Sequence, residues 1–261
     1  MEFSKLNYRI DGPADAPWLT LAHSLATDMR MWEPQIAALS QHFRVLRFDA
    51  RGHGASDHQT DTTSMSDLVD DVLRLWHSLN IAQSHFVGLS MGGMTGVGVA
   101  LKAPEKVLSL VACDCRLDAP PFFRDMWDQR ISAVRQQGME GVLEQTLSTW
   151  FTPEKRAQND RLIQQVSRMI LETPVRGYLA CADALKGLDY KGHLSELSVP
   201  TLFMVGEQDG PHPEEMKTLA EMTPNAQFQV LENAAHLSNM EQPDAFNRAV
   251  LTFLHKDPSS A

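Results

Sequence analysis

An α/β fold, with a mostly parallel central sheet flanked by helices and interrupted by an all-helical insertion, is what this sequence predicts, on three observations. Short apolar strand candidates alternate with helical periods through Cys113; residues from about 118 to 190 offer helical periods only; the alternation then resumes at Thr201. Strands separated by helices pair in parallel through right-handed crossovers. The 261 residues, 43% hydrophobic and 21% charged, suffice for one large core with an insertion. The expected division is a core of 1–117 and 191–261 and a helical cap of 118–190.

The elements follow in order. FSKLNYRI (3–10), WLTLAH (18–23) and HFRVLRF (42–48) are rich in β-branched and aromatic residues and bounded by Gly, Pro or Asp, as strands are. Over 64–80 the period lengthens: Met65, Leu68, Val69, Val72, Leu73, Trp76 and Leu79 recur at three- and four-residue steps, and Ser64 with Asp67 offers a capping box. SHFVGL (84–89) reads as a buried strand, MGGMTGVGVALKA as a helix that stops at Pro104, and VLSLVAC (107–113) as the next strand. In the insertion, Met139, Val142, Leu143, Thr146 and Trp150 mark one helical period; Leu162, Ile163, Val166, Met169 and Ile170 mark another. TLFMVGE (201–207), a helix near 213–222, QFQVLE (227–232) and a helix from about 241 to 255 complete the chain before a frayed tail, 256–261.

Composition excludes several classes of function. The N-terminal MEFSKLNYRI has no apolar leader core, and no run of about 18 apolar residues occurs, so a cytoplasmic protein without a membrane partner is expected. Cys113, Cys115 and Cys181 are too few and too oddly spaced for a disulfide framework or a zinc ribbon. A net charge of −10 opposes binding to phosphate backbones, which sets nucleic acid aside. No H-E-x-x-H, paired C-x-x-C or H-x-H-x-D cluster supplies a catalytic metal, and Gly96-Val-Gly98 lacks the third glycine of a dinucleotide fingerprint. Neither a metal nor a cofactor is expected. FDARGHGASD (48–57) reads as a tight structural turn.

Gly88-Leu89-Ser90-Met91-Gly92 carries the chemistry. A serine in a sharp turn between strand and helix needs neighbours without Cβ atoms, and G-x-S-x-G supplies them in that context. Serine alone is a weak nucleophile and requires a base and an orienting acid, expected at later strand ends in the order Ser, acid, His. His236 follows QFQVLE and Asp209 follows TLFMVGE. Asp114, at the end of VLSLVAC, competes with the favoured Asp209 for the place of the acid. The oxyanion donors are expected to be the backbone N–H groups of Met91, directly after the serine, and of Leu25, in the His23-Ser24-Leu25-Ala26 loop.

With these residues the chain resembles the α/β-hydrolases, and within them the bacterial 3-oxoadipate enol-lactonases. The likeness is carried by RIDGPADAP, HSLATDMRMWEPQ, HFRVLRFDARGHGASD, GLSMGGMTG, STWFTPEKR and AAHLSNMEQPDAF, and spans nearly the whole chain. It implies Ser90 as nucleophile, His236 as base and Asp209 as acid, in a small-molecule ester or lactone hydrolase of aromatic-compound breakdown. Two segments depart from the enol-lactonase pattern, His23-Ser24-Leu25-Ala26 and Cys113-Asp114-Cys115-Arg116, and both border the expected pocket. An enol-lactone with a free carboxylate calls for a local cation, for which Arg116, Arg30 and Arg124 are candidates. Ser24, Trp127 and Trp150 complete the candidate substrate contacts. A carboxylesterase, a lactonase of another substrate, or a non-catalytic binding relative are the alternatives.

Overall fold

The computed structural model describes residues 5–57, 62–158 and 161–255. Residues 3 and 4 of the first expected strand and the 256–261 tail lie outside the described residues. Seven strands form one sheet in the order β1-β3-β2-β4-β5-β6-β7. They are β1 (Tyr8–Asp11), β2 (Trp18–Ala22), β3 (Arg44–Phe48), β4 (Ser84–Leu89), β5 (Val107–Cys113), β6 (Thr201–Gly206) and β7 (Gln227–Leu231). Among the described residues only β1 runs antiparallel, against β3, with Tyr8 opposite Phe48; every other strand pair is parallel.

The central strands read as unbroken apolar runs because both their faces are covered. All six residues of β6 are buried, while β7, at the edge, exposes most of its residues. Before β3 come a short 3₁₀ turn, Met29–Trp32, and α1 (Glu33–Leu39); α2 (Met65–Ser78) and α3 (Met91–Lys102) connect the next strands. The expected capping box forms: Ser64 Oγ accepts from Asp67 N–H and the Asp67 carboxylate accepts from Ser64 N–H. α1 went unread in the sequence because Pro34 and its short length obscure the period.

Between β5 and β6 lie α4 (Pro121–Gln137), α5 (Glu140–Trp150), α6 (Pro153–Gln158), α7 (Arg161–Glu172) and α8 (Val175–Leu185). The chain enters and leaves this helical layer at one place, where Leu117 O accepts the N–H groups of both Tyr190 (2.8 Å) and Lys191 (2.9 Å). α9 (His212–Met222) follows β6. The expected closing helix is α11 (Pro243–Leu254), with Pro243 in its first turn where no donor is needed, and a short unexpected helix, α10 (Ser238–Glu241), precedes it. None of the helices among the described residues is long and apolar enough to cross a membrane.

Candidate active site

β4 ends at Leu89 and α3 begins at Met91, so Ser90 alone makes the turn, with φ 56° and ψ −119°. A residue with a Cβ pays for that conformation, and it persists only where the surroundings impose it. Ser90 N–H donates to Cys113 O at 2.8 Å, fastening the turn to β5. A Cβ at Gly88 would lie 2.2 Å from Gly92 O, and one at Gly92 2.0 Å from Ala22 O. The two glycines therefore allow the strand, turn and helix to pack at this distance.

The loop after β2 is held by two buried imidazoles. His23 Nε2 accepts the N–H of Ala50 at 2.8 Å, which leaves its Nδ1 to donate to Ser24 O at 2.7 Å. His53 Nε2 accepts the N–H of Ala26 at 3.2 Å. The RGHG turn is thus structural, as expected, and its histidine also shapes the loop beside Ser90. Leu25 N–H has no acceptor among the described residues, and Met91 N–H, first in α3, precedes the helical ladder. The buried Ser24 Oγ has no partner either.

A cavity of about 610 Å³ opens here, and Ser90, Asp209 and His236 all line it. His236 Nδ1 donates to Asp209 Oδ2 at 2.9 Å. Ser90 faces the same space without a hydrogen bond to His236; such contacts often tighten only around substrate. Burial works to raise the Asp209 pKa, but the charge of His236 and hydrogen bonds from His212 and His236 outweigh it and hold the carboxyl well below the usual range. A second imidazole, His212, reaches the same carboxylate: its Nδ1 lies 3.3 Å from Oδ2 and donates to Asp209 O at 3.1 Å. Burial opposes charge on His212, yet its bonds to Asp209 prevail and push its pKa up to about 9. Pattern reading passed over His212, whose only signal is its spacing of three from Asp209.

Asp114 is engaged elsewhere. Fully buried, with φ 47°, it accepts from Gly206 N–H at 2.8 Å and from Ser238 Oγ at 2.5 Å. Desolvation, reinforced by the nearby charge of Asp209, pushes its pKa well up. No hydrogen bond joins it to His236 among the described residues.

Leu25, Ser24, Arg116, Trp127 and Trp150 also line the cavity. Trp150 stacks on His236, the ring centroids 6.1 Å apart and the planes 22° from parallel, and Trp150 O accepts from Leu237 N–H. Two of the expected cations are misplaced. Arg30 lies outside the cavity lining, its guanidinium paired with Asp28 (2.7 Å) and Glu172 (2.6 Å), and Arg124 is exposed on α4, also outside the lining. Helical phase explains Arg124: the cavity face of α4 carries Phe123, Trp127 and Arg130 instead. Arg116 does border the cavity, but Asp118 (2.8 Å) and Glu215 (3.5 Å) already neutralise it.

A cavity-lining cation that sequence reading missed is Arg130. It is 8% exposed, lines the cavity and sits over Trp127. Its hydrogen bonds go to the uncharged oxygens of Thr146 and Tyr178, and no carboxylate pairs with it among the described residues. A buried charge without a counter-ion is costly unless something anionic visits it. Trp127 Nε1, also buried and unpartnered, lines the same space.

The family model for the alpha/beta hydrolase fold matches residues 17–243. The chain is 35% identical over 245 residues to 3-oxoadipate enol-lactonase 1 of Acinetobacter baylyi, covering 92% of this chain and 90% of that protein. To "Putative carbamate hydrolase RutD" of Agrobacterium fabrum it is 31% identical over 251 residues, covering 92% and 94%. Among solved structures, the enol-lactonase from Burkholderia xenovorans superposes with a TM-score of 0.91 at 35% identity, covering 96% of each chain. A thermophilic esterase from Thermogutta terrifontis gives 0.90 at 30% identity, covering 96% of this chain and 93% of that one. Matched in sequence and in sheet topology along nearly its whole length, the chain belongs to the α/β-hydrolase fold family.

Proposed function

We propose that the chain is a serine hydrolase that opens a carboxylate-bearing lactone through an acyl-enzyme, with 3-oxoadipate enol-lactone, an intermediate of aromatic-compound breakdown, as the favoured substrate. The observation that carries this reading is the strained Ser90 in one cavity with an imidazole anchored by Asp209 at 2.9 Å. The likeness to two enol-lactonases supports the choice of substrate.

In this reading Ser90 Oγ attacks the lactone carbonyl while His236 Nε2 takes its proton. Asp209 holds the ring through Nδ1 and offsets the imidazolium charge. The N–H groups of Leu25 and Met91 receive the oxyanion. The ring oxygen leaves as an enol and takes the proton from His236, and the acyl-enzyme is then hydrolysed by water that the same imidazole activates. Arg130 holds the free carboxylate, with Trp127 Nε1 and Ser24 Oγ as further donors. The helices of 118–190 act as the cap that carries this anchor. These steps use the side chains, two backbone N–H groups and water. Three buried, unpaired thiols support a cytoplasmic location.

Turnover of freshly generated enol-lactone is the test. The reading expects kcat/KM for it to exceed that for neutral aryl esters by roughly 10- to 100-fold, the worth of a charged anchor; equal or lower values would reject the substrate while leaving the hydrolase. A second reading, carbamate or simple ester hydrolysis, rests on the likeness to the Agrobacterium and Thermogutta proteins, and adding carbamates to the same comparison tests it.

A further inference from the structure

His212 has no part in the proposed reaction, yet it shares the oxygen that anchors His236. Nδ1 of His212 and Nδ1 of His236 lie 3.3 and 2.9 Å from the same Asp209 Oδ2, and the three ligand atoms fall within 4.8 Å of one another. We propose that Asp209, His212 and His236 form a binding site for a borderline transition-metal ion such as Zn²⁺, and that an ion there switches the hydrolase off.

The geometry is close to what such an ion asks. With bonds of about 2.0–2.1 Å to nitrogen and oxygen, tetrahedral ligand atoms sit about 3.4 Å apart. Two edges of the present triangle are already within about half an ångström of that. The third closes by a small rotation of His212, whose side chain, 22% exposed, heads α9 at the cavity edge. One carboxylate oxygen and two imidazole nitrogens suit Zn²⁺, Co²⁺, Ni²⁺ or Cu²⁺ and not Mg²⁺ or Ca²⁺, which want oxygens. All three residues line the cavity, so a water completes the coordination and the ion has a route in. Trp150, stacked on His236, holds that ring in place.

Inhibition follows from the tautomer, and this part rests on the proposed triad. An ion on His236 Nδ1 requires a lone pair there, so the ring's single proton moves to Nε2. The nitrogen that would accept the Ser90 proton then becomes a donor, and Asp209 is spent on the metal. The Nδ1 proton of His212 passes to solvent and its hydrogen bond to Asp209 breaks; the ion forms two bonds to nitrogen, one to the carboxylate oxygen and one to water, and nothing is oxidised or reduced. The sequence lacked any familiar metal motif because the ligands come from D-x-x-H at the start of α9 and a histidine 24 residues beyond, joined only by the fold.

Binding is measured on the Ser90→Ala protein, stripped with a chelator, by calorimetric titration with ZnCl₂ and by the visible absorption of added Co²⁺. The expectation is one ion per chain, a tetrahedral cobalt spectrum, and at least about 10-fold weaker binding after His212→Gln. No binding at millimolar zinc, or binding that His212→Gln leaves unaltered, would overturn the site. On the intact enzyme, zinc should slow ester turnover, a chelator should restore it, and His212→Gln should raise the zinc needed by a similar factor; stoichiometric binding at these residues without loss of turnover would overturn the switch. Because the binding arm uses a protein without the serine hydroxyl, failure of the hydrolase reading leaves it standing, and failure of the metal site leaves the hydrolase reading untouched.

Discussion

Asp114 and Ser238 share a 2.5 Å hydrogen bond that ties the end of β5 to the segment carrying His236, while the other Asp114 oxygen binds Gly206 N–H just ahead of Asp209. The carboxyl that competes in sequence for the role of catalytic acid is thus a clamp between the two loops that bring Asp209 and His236 together. Asp209→Asn should lower kcat by on the order of 10⁴-fold, and Ser90→Ala by a similar or greater factor with the fold retained. Asp114→Asn, which keeps the shape and a partner for Ser238, should cost about 10-fold or less. Steady-state kinetics of the three variants, checked by circular dichroism, distinguishes the roles; a larger loss at Asp114 than at Asp209 would reverse them.

Arg130 should discriminate by substrate charge. Its bond to a carboxylate is worth about 1.5–3 kcal/mol, so Arg130→Gln should raise KM for carboxylate-bearing lactones by roughly 10- to 100-fold. The effect on neutral esters should be small. Arg116→Gln, with Arg116 already paired, should change both classes alike, and a panel of charged and neutral substrates reads the difference.

His85 makes stability fall in mild acid. Burial, helped by His255, pushes its pKa down to about 4, whereas an unfolded histidine titrates near 6.5. The unfolded chain therefore takes the proton first. The contribution is fully present above pH 6.5 and is lost as pH drops through 4. For this partly exposed ring we expect about 1–2 kcal/mol, seen as a steeper loss of denaturant midpoint in the parent than in His85→Gln between about pH 7 and pH 4.5.

Gly92→Ala should damage the turn itself. Its Cβ would meet Ala22 O at 2.0 Å, so α3 must withdraw from β2. A loss of a few kcal/mol of stability, about 2 or more, together with displacement of the Met91 amide, predicts a lower Tm and a kcat reduced beyond what unfolding explains.

Much of this was legible in the sequence because local rules and tertiary demands agree there. The capping box at Ser64 and Asp67, the apolar runs of β4 to β6 and the glycines around Ser90 each announce their own geometry. The sequence order Ser90, Asp209, His236 also foretold which residues meet in one cavity. The cations were harder. Arg30, Arg116 and Arg124 look equivalent to Arg130 in sequence, and only the fold reveals which has acidic neighbours and which faces inward. His212 was invisible for the same reason: its partner His236 is 24 residues away. The short α10 went unread for another reason: four residues are too few to show a period.

Leu117 O, accepting the N–H groups of both Tyr190 and Lys191, marks the doorway through which the backbone enters and leaves the helical layer, which also bonds to the core through Trp150 O and Leu237 N–H. The serine turn and the loops after β2, β6 and β7 are all built outside that doorway, whereas Arg130, Trp127 and Trp150 are built inside it. On the proposed reading, transplanting the segment between its two gateposts into a sister scaffold should therefore carry over the preference for an acyl group and leave Ser90, Asp209 and His236 behind, so that selectivity and reactivity would be separately inheritable in this architecture.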